Sequence, residues 1–170
     1  NSSGGQIGSQ INISSGMYSD LGYPSVILNN DRSFIIFYTG ESGSPGHDLI
    51  ARRFNSSGLQ TGNEIVINDP DKNVSSFGLT QNVSGDNSGN FCVTWSSYGS
   101  TSISRILLQL FDSTGQRIGN NQIVSNTSIG NNTYFPIIIS TSDGYFLLAW
   151  NVDGGGISAR IFNSGNYFVT

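Results

Sequence analysis

The most constraining feature of this 170-residue chain is an internal repeat that occurs three times. Three short apolar segments resemble one another, and their first residues are 57 and then 55 positions apart. The segments are Phe34–Tyr38, Phe91–Trp95 and Phe146–Trp150. A repeat of this length is typical of folds in which small supersecondary units stack on their neighbours. The chain is therefore expected to form three such units rather than one continuous core.

Each unit also has a second apolar segment, and a turn follows it. The segment ends at Phe54, Phe111 or Phe162, and Asx, Ser and Gly residues come next in each unit. These residue types are favoured in tight turns because they bond their own backbone or accept a positive φ. Apolar side chains that alternate within five-residue segments indicate strands rather than helices. The pattern predicts four strands per unit, and those of the first unit lie around Ser25–Leu28, Phe34–Tyr38, Leu49–Phe54 and Glu64–Ile67.

The predicted fold is all-β, with three blade-like antiparallel repeats of about 57 residues. The units span residues 15–70, 71–126 and 127–170, and the third unit is expected to lack its last strand. Gly8–Ser14 matches Gly62–Asn68 of the first unit position for position. Residues 1–14 therefore supply a lead and a closing or donor strand, which completes the third unit of its own chain or of a neighbouring copy. The candidate assembly strand consists of Gln6, Ile7, Gly8, Ser9, Gln10, Ile11, Asn12 and Ile13.

The repeat pattern resembles repeats in large secreted bacterial surface proteins. In the first unit the pattern is carried by Pro24, Val26, Phe34, Tyr38, Ala51, Phe54, Gly58, Gly62 and Asn68. Those proteins are propeller-type arrays of mostly unknown function. The resemblance implies an extracellular or cell-surface repeat scaffold and brings no catalytic residues with it. The chain departs from the pattern at Gln81, where the other two units have Pro24 and Pro136.

The composition excludes several classes of function. Only 11% of the residues are charged, and the net charge is −4, so no basic surface is available for nucleic acid or an anionic membrane. No apolar run approaches the roughly 20 residues of a membrane helix. One Cys and one His provide neither an internal disulfide nor a zinc cage. We therefore expect no nucleic-acid partner, no membrane insertion, no cofactor and no metal ligand.

Catalytic signatures are weak in this sequence. His47 and Asp48 are adjacent in a loop, but no Gly-x-Ser-x-Gly elbow or other triad signature accompanies them. Cys92 aligns with Ile35 and Leu147 in the repeat, which predicts a small buried side chain rather than a nucleophile. The sequence therefore predicts no catalytic residue, and we expect a protein that is not an enzyme.

Two functions agree with these features. The first is a structural subunit of an extracellular fibre or surface assembly, whose partners are copies of itself joined by exchange of the N-terminal strand. The alternative is a carbohydrate-binding module of lectin or adhesin type, with glycans as partners. Its candidate sugar contacts are Trp95, Trp150, Arg52 and Arg160, since indole rings and planar guanidinium groups suit such ligands. These residues also have simpler interpretations. The tryptophans suit packing in the core, and the arginines suit an outward-facing polar ladder on the third strand.

Sequons in predicted turns are candidate glycosylation sites. The chain has seven Asn-x-Ser/Thr triplets, and four of them lie where a glycan is easily accommodated. These four asparagines are Asn55, Asn73, Asn126 and Asn131.

Overall fold

The computed structural model describes residues 8–14, 16–41, 47–69, 82–98, 103–125, 131–163 and 168–169. The strands in these residues form three four-stranded antiparallel sheets. The first sheet contains β1 (Ser19–Leu28), β2 (Phe34–Glu41), β3 (Asp48–Phe54) and β4 (Ile65–Val66). The second contains β5 (Asn82–Gly85), β6 (Phe91–Tyr98), β7 (Ser104–Phe111) and β8 (Arg117–Ile123). The third contains β9 (Thr133–Ser140), β10 (Tyr145–Val152), β11 (Gly156–Asn163) and β12 (Phe168–Val169).

We call these sheets blades 1, 2 and 3. In each blade the strands lie side by side in chain order, so every connection joins direct neighbours. The predicted fold class is confirmed: the protein is all-β and consists of three blade-like antiparallel repeats. In the part of the chain that the structure describes, no helix is long and apolar enough to cross a membrane.

The turns between strands are closed by Asx side chains, as the sequence predicts. In blade 2 the Oδ1 atom of Asp112 accepts hydrogen bonds from the backbone N–H groups of Thr114 at 2.9 Å and Gln116 at 3.0 Å. Asn55 closes the equivalent turn of blade 1 in the same way. A glycine at positive φ follows in each turn, Gly58 in blade 1 and Gly115 in blade 2. These local bonds fix the hairpins and therefore the register of the strands they join.

The blades stack face to face, and each contact between two blades is a seam with its own core. Alternate residues of a central strand point to opposite faces of the blade. We call the face that carries Ile35 and Phe37 in blade 1, and the equivalent face of the other blades, the rear; the opposite face is the front. In seam 1 the rear residues Ile35 and Phe37 of blade 1 pack against front residues of blade 2 that include Phe91 and Trp95. Seam 2 joins the rear of blade 2 to the front of blade 3; its buried residues include Cys92, Leu108, Leu110, Phe146, Leu148 and Trp150. Blade 2 is thus covered on both faces, and blades 1 and 3 are each covered on one.

Residues 8–14 do not pair with blade 3 of their own chain. Residues 8–14 form no strand, and the backbone carbonyl of Ile13 accepts a hydrogen bond from Arg52 Nη1 at 2.6 Å, which places them on the front of blade 1. Gln6 and Ile7 lie outside the described residues. In blade 3 the fourth strand is β12 of the same chain, which pairs with β11 through Phe162↔Phe168 and Ile161↔Val169. Completion of the third repeat by the N-terminal strand is therefore not confirmed, because a short C-terminal segment already pairs with that edge.

Candidate functional site

A polar cleft of about 480 Å³ lies between blades 1 and 2, at the end where their first hairpin turns meet. Phe34 and Phe54 border it, and their rings stack on one another at 5.0 Å on the side of blade 1 that carries Leu28. Amide, hydroxyl and carboxylate groups from the turns of both blades form most of the remainder. They belong to Asn29, Asn30, Asp31, Ser33, Asp86, Asn87 and Ser88.

The two turns that form the mouth of this cleft are held by internal hydrogen bonds. Asp31 accepts from the Ser33 hydroxyl at 2.6 Å and from its backbone N–H at 2.9 Å. These bonds hold the pKa of the Asp31 carboxyl below its usual value, so it carries a charge at neutral pH. Asp86 accepts from the backbone N–H groups of Ser88 and Asn90 at 2.8 and 2.9 Å.

The turn side chains also bond one another: Asn29 Nδ2 donates to Ser33 Oγ at 2.9 Å and Asn30 Nδ2 to Asn87 Oδ1 at 3.5 Å. The turns therefore present a cleft border whose polar groups are already held in place.

Arg53 supplies the positive charge among the residues that line the cleft. Its Nε atom is buried and has no hydrogen-bond partner. The guanidinium lies against two glycines at positive φ: a Cβ on Gly62 would be 2.9 Å from Arg53 Nη2, and one on Gly115 would be 3.2 Å from its Cζ. A larger residue at either position would push the guanidinium aside. The glycines therefore leave room for a planar fork of donors, which suits carboxylate and hydroxyl acceptors.

Sequence reasoning missed Arg53, although the repeat contains a signal for it. The equivalent positions are Leu110 in blade 2, which is buried in seam 2, and Ile161 in blade 3. A charged residue at a position that is apolar in the other two units departs from the packing pattern. In a repeat such a departure is a better indicator of function than a residue that recurs, because recurring residues serve the common core.

The residues predicted to contact sugar separate into two groups. Trp150 and Arg160 line a second cleft of about 260 Å³ on blade 3, together with Asn131, Thr133 and Ser158. Trp95 is buried in seam 1, so its ring has no free face for a sugar. Arg52 is buried and donates to Glu64 Oε2 from Nε at 2.8 Å and from Nη2 at 2.6 Å. The structure thus brings two of the four candidates together at an accessible place.

The outward polar ladder expected on the third strands is not observed for Arg52 and Gln109, because both side chains are buried. Gln109 Nε2 donates to the backbone carbonyls of Ile118 at 3.3 Å and Gly119 at 3.2 Å, and its Oε1 accepts from Asn121 at 2.6 Å. These carbonyls lie beside a register shift in the pairing of β7 with β8. The long polar side chain is therefore held inside because it satisfies backbone groups that the irregular ladder leaves open.

The remaining candidates have defined surroundings. Cys92 is fully buried, and burial raises the pKa of its thiol well above the ordinary value, as expected for a packing residue. His47 Nε2 lies 3.0 Å from Asp20 Oδ2. Of the predicted glycosylation sites, Asn131 is exposed, whereas Asn55 is part-buried and uses its Oδ1 atom to close a turn. Asn73 and Asn126 lie outside the described residues.

Comparisons with known proteins show the fold. No protein-family model and no curated protein matches this chain. Among solved structures, a Hadza microbial sialidase matches 87% of the chain with a TM-score of 0.61 and 14% sequence identity. An endo-arabinase from Bacteroides thetaiotaomicron matches 84% of the chain with a TM-score of 0.52 and 12% identity. The chain spans 36% of the first structure and 55% of the second.

Both matched structures have propeller-type folds, which agrees with the blade-like repeats described above. Both are also named as enzymes. The prediction that this chain is not an enzyme is therefore wrong. The prediction depended on the absence of a nucleophile signature in the sequence. In a fold made of blades, loops from distant parts of the chain form the clefts, so a site there need not have a local sequence signature.

Proposed function

We propose that the cleft between blades 1 and 2 binds a saccharide, and that the three blades belong to a propeller-type protein that acts on or recognises carbohydrate. The observation that carries this proposal is the Arg53 guanidinium, which lies in a cleft bordered by the amides, hydroxyls and carboxylates of two turns. Sugars present many hydroxyl groups, and such a border offers them hydrogen-bond partners. The names of the two matched structures, a sialidase and an endo-arabinase, support the same class of ligand.

Arg53 favours a saccharide that carries a carboxylate. Its fork of donors matches the two oxygens of a carboxylate better than it matches a single hydroxyl. The carboxylates of Asp31 and Asp86 already accept hydrogen bonds from their own turns, so the guanidinium has no ion pair among the salt bridges of the described residues. An acidic sugar would supply the ion-pair partner that the guanidinium lacks among the salt bridges of the described residues, although it would also have to approach the carboxylates of Asp31 and Asp86.

The second cleft, on blade 3, is a competing location. It contains Trp150 and Arg160, which the sequence predicts as sugar contacts, but the Trp150 side chain is only 5% exposed. A buried ring offers little surface for stacking. The cleft at Arg53 is also the larger of the two, at about 480 Å³ against 260 Å³.

The test is a glycan array that carries matched neutral and carboxylated oligosaccharides, followed by calorimetry on the strongest ligand. Arg53→Gln should weaken binding of the acidic ligand at least about tenfold, and Arg53→Lys should recover part of the loss because it keeps the charge without the fork. Arg160→Gln is the matched control and should leave binding unchanged. Loss with Arg160→Gln instead would move the site to blade 3, and no binding by the wild-type chain would refute the proposal. Release of reducing sugar in the same samples would show that the cleft also cleaves its ligand.

An extracellular or cell-surface location fits this proposal and the resemblance to secreted repeat proteins. The fibre hypothesis receives no support from the described residues, because residues 8–14 contact blade 1 of their own chain. The unit boundaries at residues 15–70, 71–126 and 127–170 remain part of the proposal.

A further inference from the structure

The rear face of blade 3 is apolar and open. Its exposed side chains include Ile137, Ile139, Leu147, Ile157 and Ile161. Cross-strand pairing joins them into rows, since Leu147 pairs with both Ile139 and Ile161. A continuous apolar face of this kind marks a surface for association.

The front face of blade 1 is the other open end of the stack. Val26 and Leu28 project from it and are 62% and 71% exposed. Residues 8–14 approach the same face at Arg52 and leave these two side chains uncovered. The stack therefore has two open ends. At each end, exposed apolar side chains project from the first strand of the blade, which is β1 in blade 1 and β9 in blade 3.

The two internal seams show which repeat positions meet when one blade stacks on the next. In seam 2 the hydroxyls of Ser84, on the rear of blade 2, and Ser140, on the front of blade 3, are 2.8 Å apart. In seam 1 the equivalent residues are Ile27 and Gly85, and a Cβ on Gly85 would lie 3.2 Å from Ile27 Cγ2. If the front of a blade 1 were stacked on the rear of blade 3 in the same way, the rear residue Ile139 would meet the front residue Leu28.

A second pair of positions follows the same rule. In seam 2 the side chain of Asn82, on the rear of blade 2, accepts a hydrogen bond from the backbone N–H of Ile138, on the front of blade 3, at 3.2 Å. The equivalent step beyond blade 3 would bring Ile137 against Val26. Ile139 and Ile137 are 58% and 60% exposed. The four side chains that would meet in a third seam are thus all large and apolar, whereas seam 2 has polar side chains at three of the equivalent positions, Ser84, Ser140 and Asn82.

We propose that the rear of blade 3 packs against the front of blade 1 of a second copy of this chain, and that the two copies close a six-bladed ring through two such seams. The closing contact repeats the geometry of seams 1 and 2, so the ring continues an interface that the chain already forms. Propellers usually have four to eight blades, a range that includes six. A head-to-tail contact that closes after two copies has twofold symmetry and leaves no open face.

The area approaches that of a stable dimer. A sheet face of three eight-residue strands covers roughly 400 Å². Two seams would therefore bury up to about 800 Å² on each copy, the size of a standard stable interface, and somewhat less where residues 8–14 already cover Arg52 on the front of blade 1. This inference is independent of the saccharide proposal, because the cleft at Arg53 lies in seam 1.

The first measurement is sedimentation velocity of the wild-type chain over a wide range of concentration. The expected species has twice the chain mass of 18.2 kDa. Ile139→Asp and Leu28→Lys should each weaken association about thirtyfold or more, because each places a charge in both seams. Leu59→Asp is the control: Leu59 is also exposed but lies in the β3–β4 turn. Ile139→Ser gives a second variant that preserves folding, since blade 2 has Ser84 at this position.

Mixing the two charged variants tests the head-to-tail arrangement itself. A heterodimer of Ile139→Asp and Leu28→Lys has one unmodified seam and one seam in which the new carboxylate faces the new ammonium. The mixture should therefore recover dimers that neither variant forms alone, with circular dichroism confirming that both are folded. A monomer at all concentrations would overturn the proposal, and so would a ladder of growing oligomers. Dimers of Leu28→Lys alone would indicate rear-to-rear packing and would overturn it as well.

Discussion

Blades 2 and 3 have the same strand order and the same repeat pattern, yet their rear faces have opposite environments. Ile106 on β7 is 0% exposed, and its repeat equivalent on β11, Ile157, is 74% exposed. Leu110 and Ile161 differ in the same direction. The difference arises because blade 3 covers the rear of blade 2 and no described residue covers the rear of blade 3. Burial in this protein is therefore set by the neighbouring blade rather than by the repeat itself.

The largest expected effect comes from truncating that pair of isoleucines. Ile106→Ala should lower the free energy of unfolding by about 2–5 kcal/mol, because it removes a buried side chain and leaves a cavity in seam 2. Ile157→Ala should cost less than about 1 kcal/mol in the isolated chain. Denaturant unfolding at low protein concentration measures both. Equal decreases in the free energy of unfolding for the two variants would contradict the difference between the two rear faces. A decrease for Ile157→Ala that is larger at high protein concentration than at low concentration would support the proposed ring.

The next effect concerns a covered part of the front of blade 1. Arg52 and Glu64 form an ion pair at 2.6 Å with little exposure of either side chain, and Ile13 lies over it. Arg52→Met should cost about 3 kcal/mol, because it leaves the poorly solvated Glu64 carboxyl without its guanidinium partner. The comparison variant is Arg117→Met, which breaks the more exposed pair with Asp69 and the bonds from Nη2 to the Val66 and Ile67 carbonyls, and should cost about 2 kcal/mol. A loss for Arg52→Met no larger than that for Arg117→Met would show that the front of blade 1 is open to water.

A smaller effect appears in the titration of tyrosine on that same face. Burial and the nearby charge of Glu64 raise the pKa of Tyr38 from 10.0 to about 12. A pKa that is higher in the folded state means that the neutral phenol is favoured by folding. Its contribution is complete below pH 10 and is lost as the pH rises toward 12.

Absorbance titration of wild type and Tyr38→Phe measures this contribution. The variant should lose part of the late-titrating amplitude, and Tyr18, whose pKa is raised by burial and by Glu64 as well, should retain the rest. Unchanged late amplitude in the variant would place Tyr38 in water and would remove the distinction between this face and the open rear of blade 3.

The strands were predictable because their signal is local and recurs. The segment Phe34–Tyr38 predicts β2, which the structure extends to Glu41, and Leu49–Phe54 predicts β3 within one residue. The turn at Asn55 follows from Asx and Gly chemistry that acts over four residues. A threefold repeat strengthens each of these signals, since one misread unit is corrected by the other two.

The cleft at Arg53 and the burial of each blade face could not be predicted from local sequence patterns, because both depend on contacts between repeat units. Gln109 turns inward to meet carbonyls beside an irregular strand pairing, which alternation does not encode. Arg53 faces a cleft formed with turns of the next blade, and the lining residues Asp86, Asn87 and Ser88 lie more than 30 residues away in the sequence. Pairing of Phe168 with Phe162 was missed because a two-residue strand has no period to detect.

The claim that a neighbouring blade decides burial is tested most directly by thiol reactivity at one repeat position. Cys92 and Leu147 are equivalent, and only the former is covered. Wild-type Cys92 should react with a disulfide reagent at least about a hundredfold more slowly than the thiol of Leu147→Cys in a Cys92→Ala background, since the buried thiol has a raised pKa and reacts only after seam 2 opens. This result is expected at protein concentrations too low for association. Equal rates for the two thiols would contradict the account.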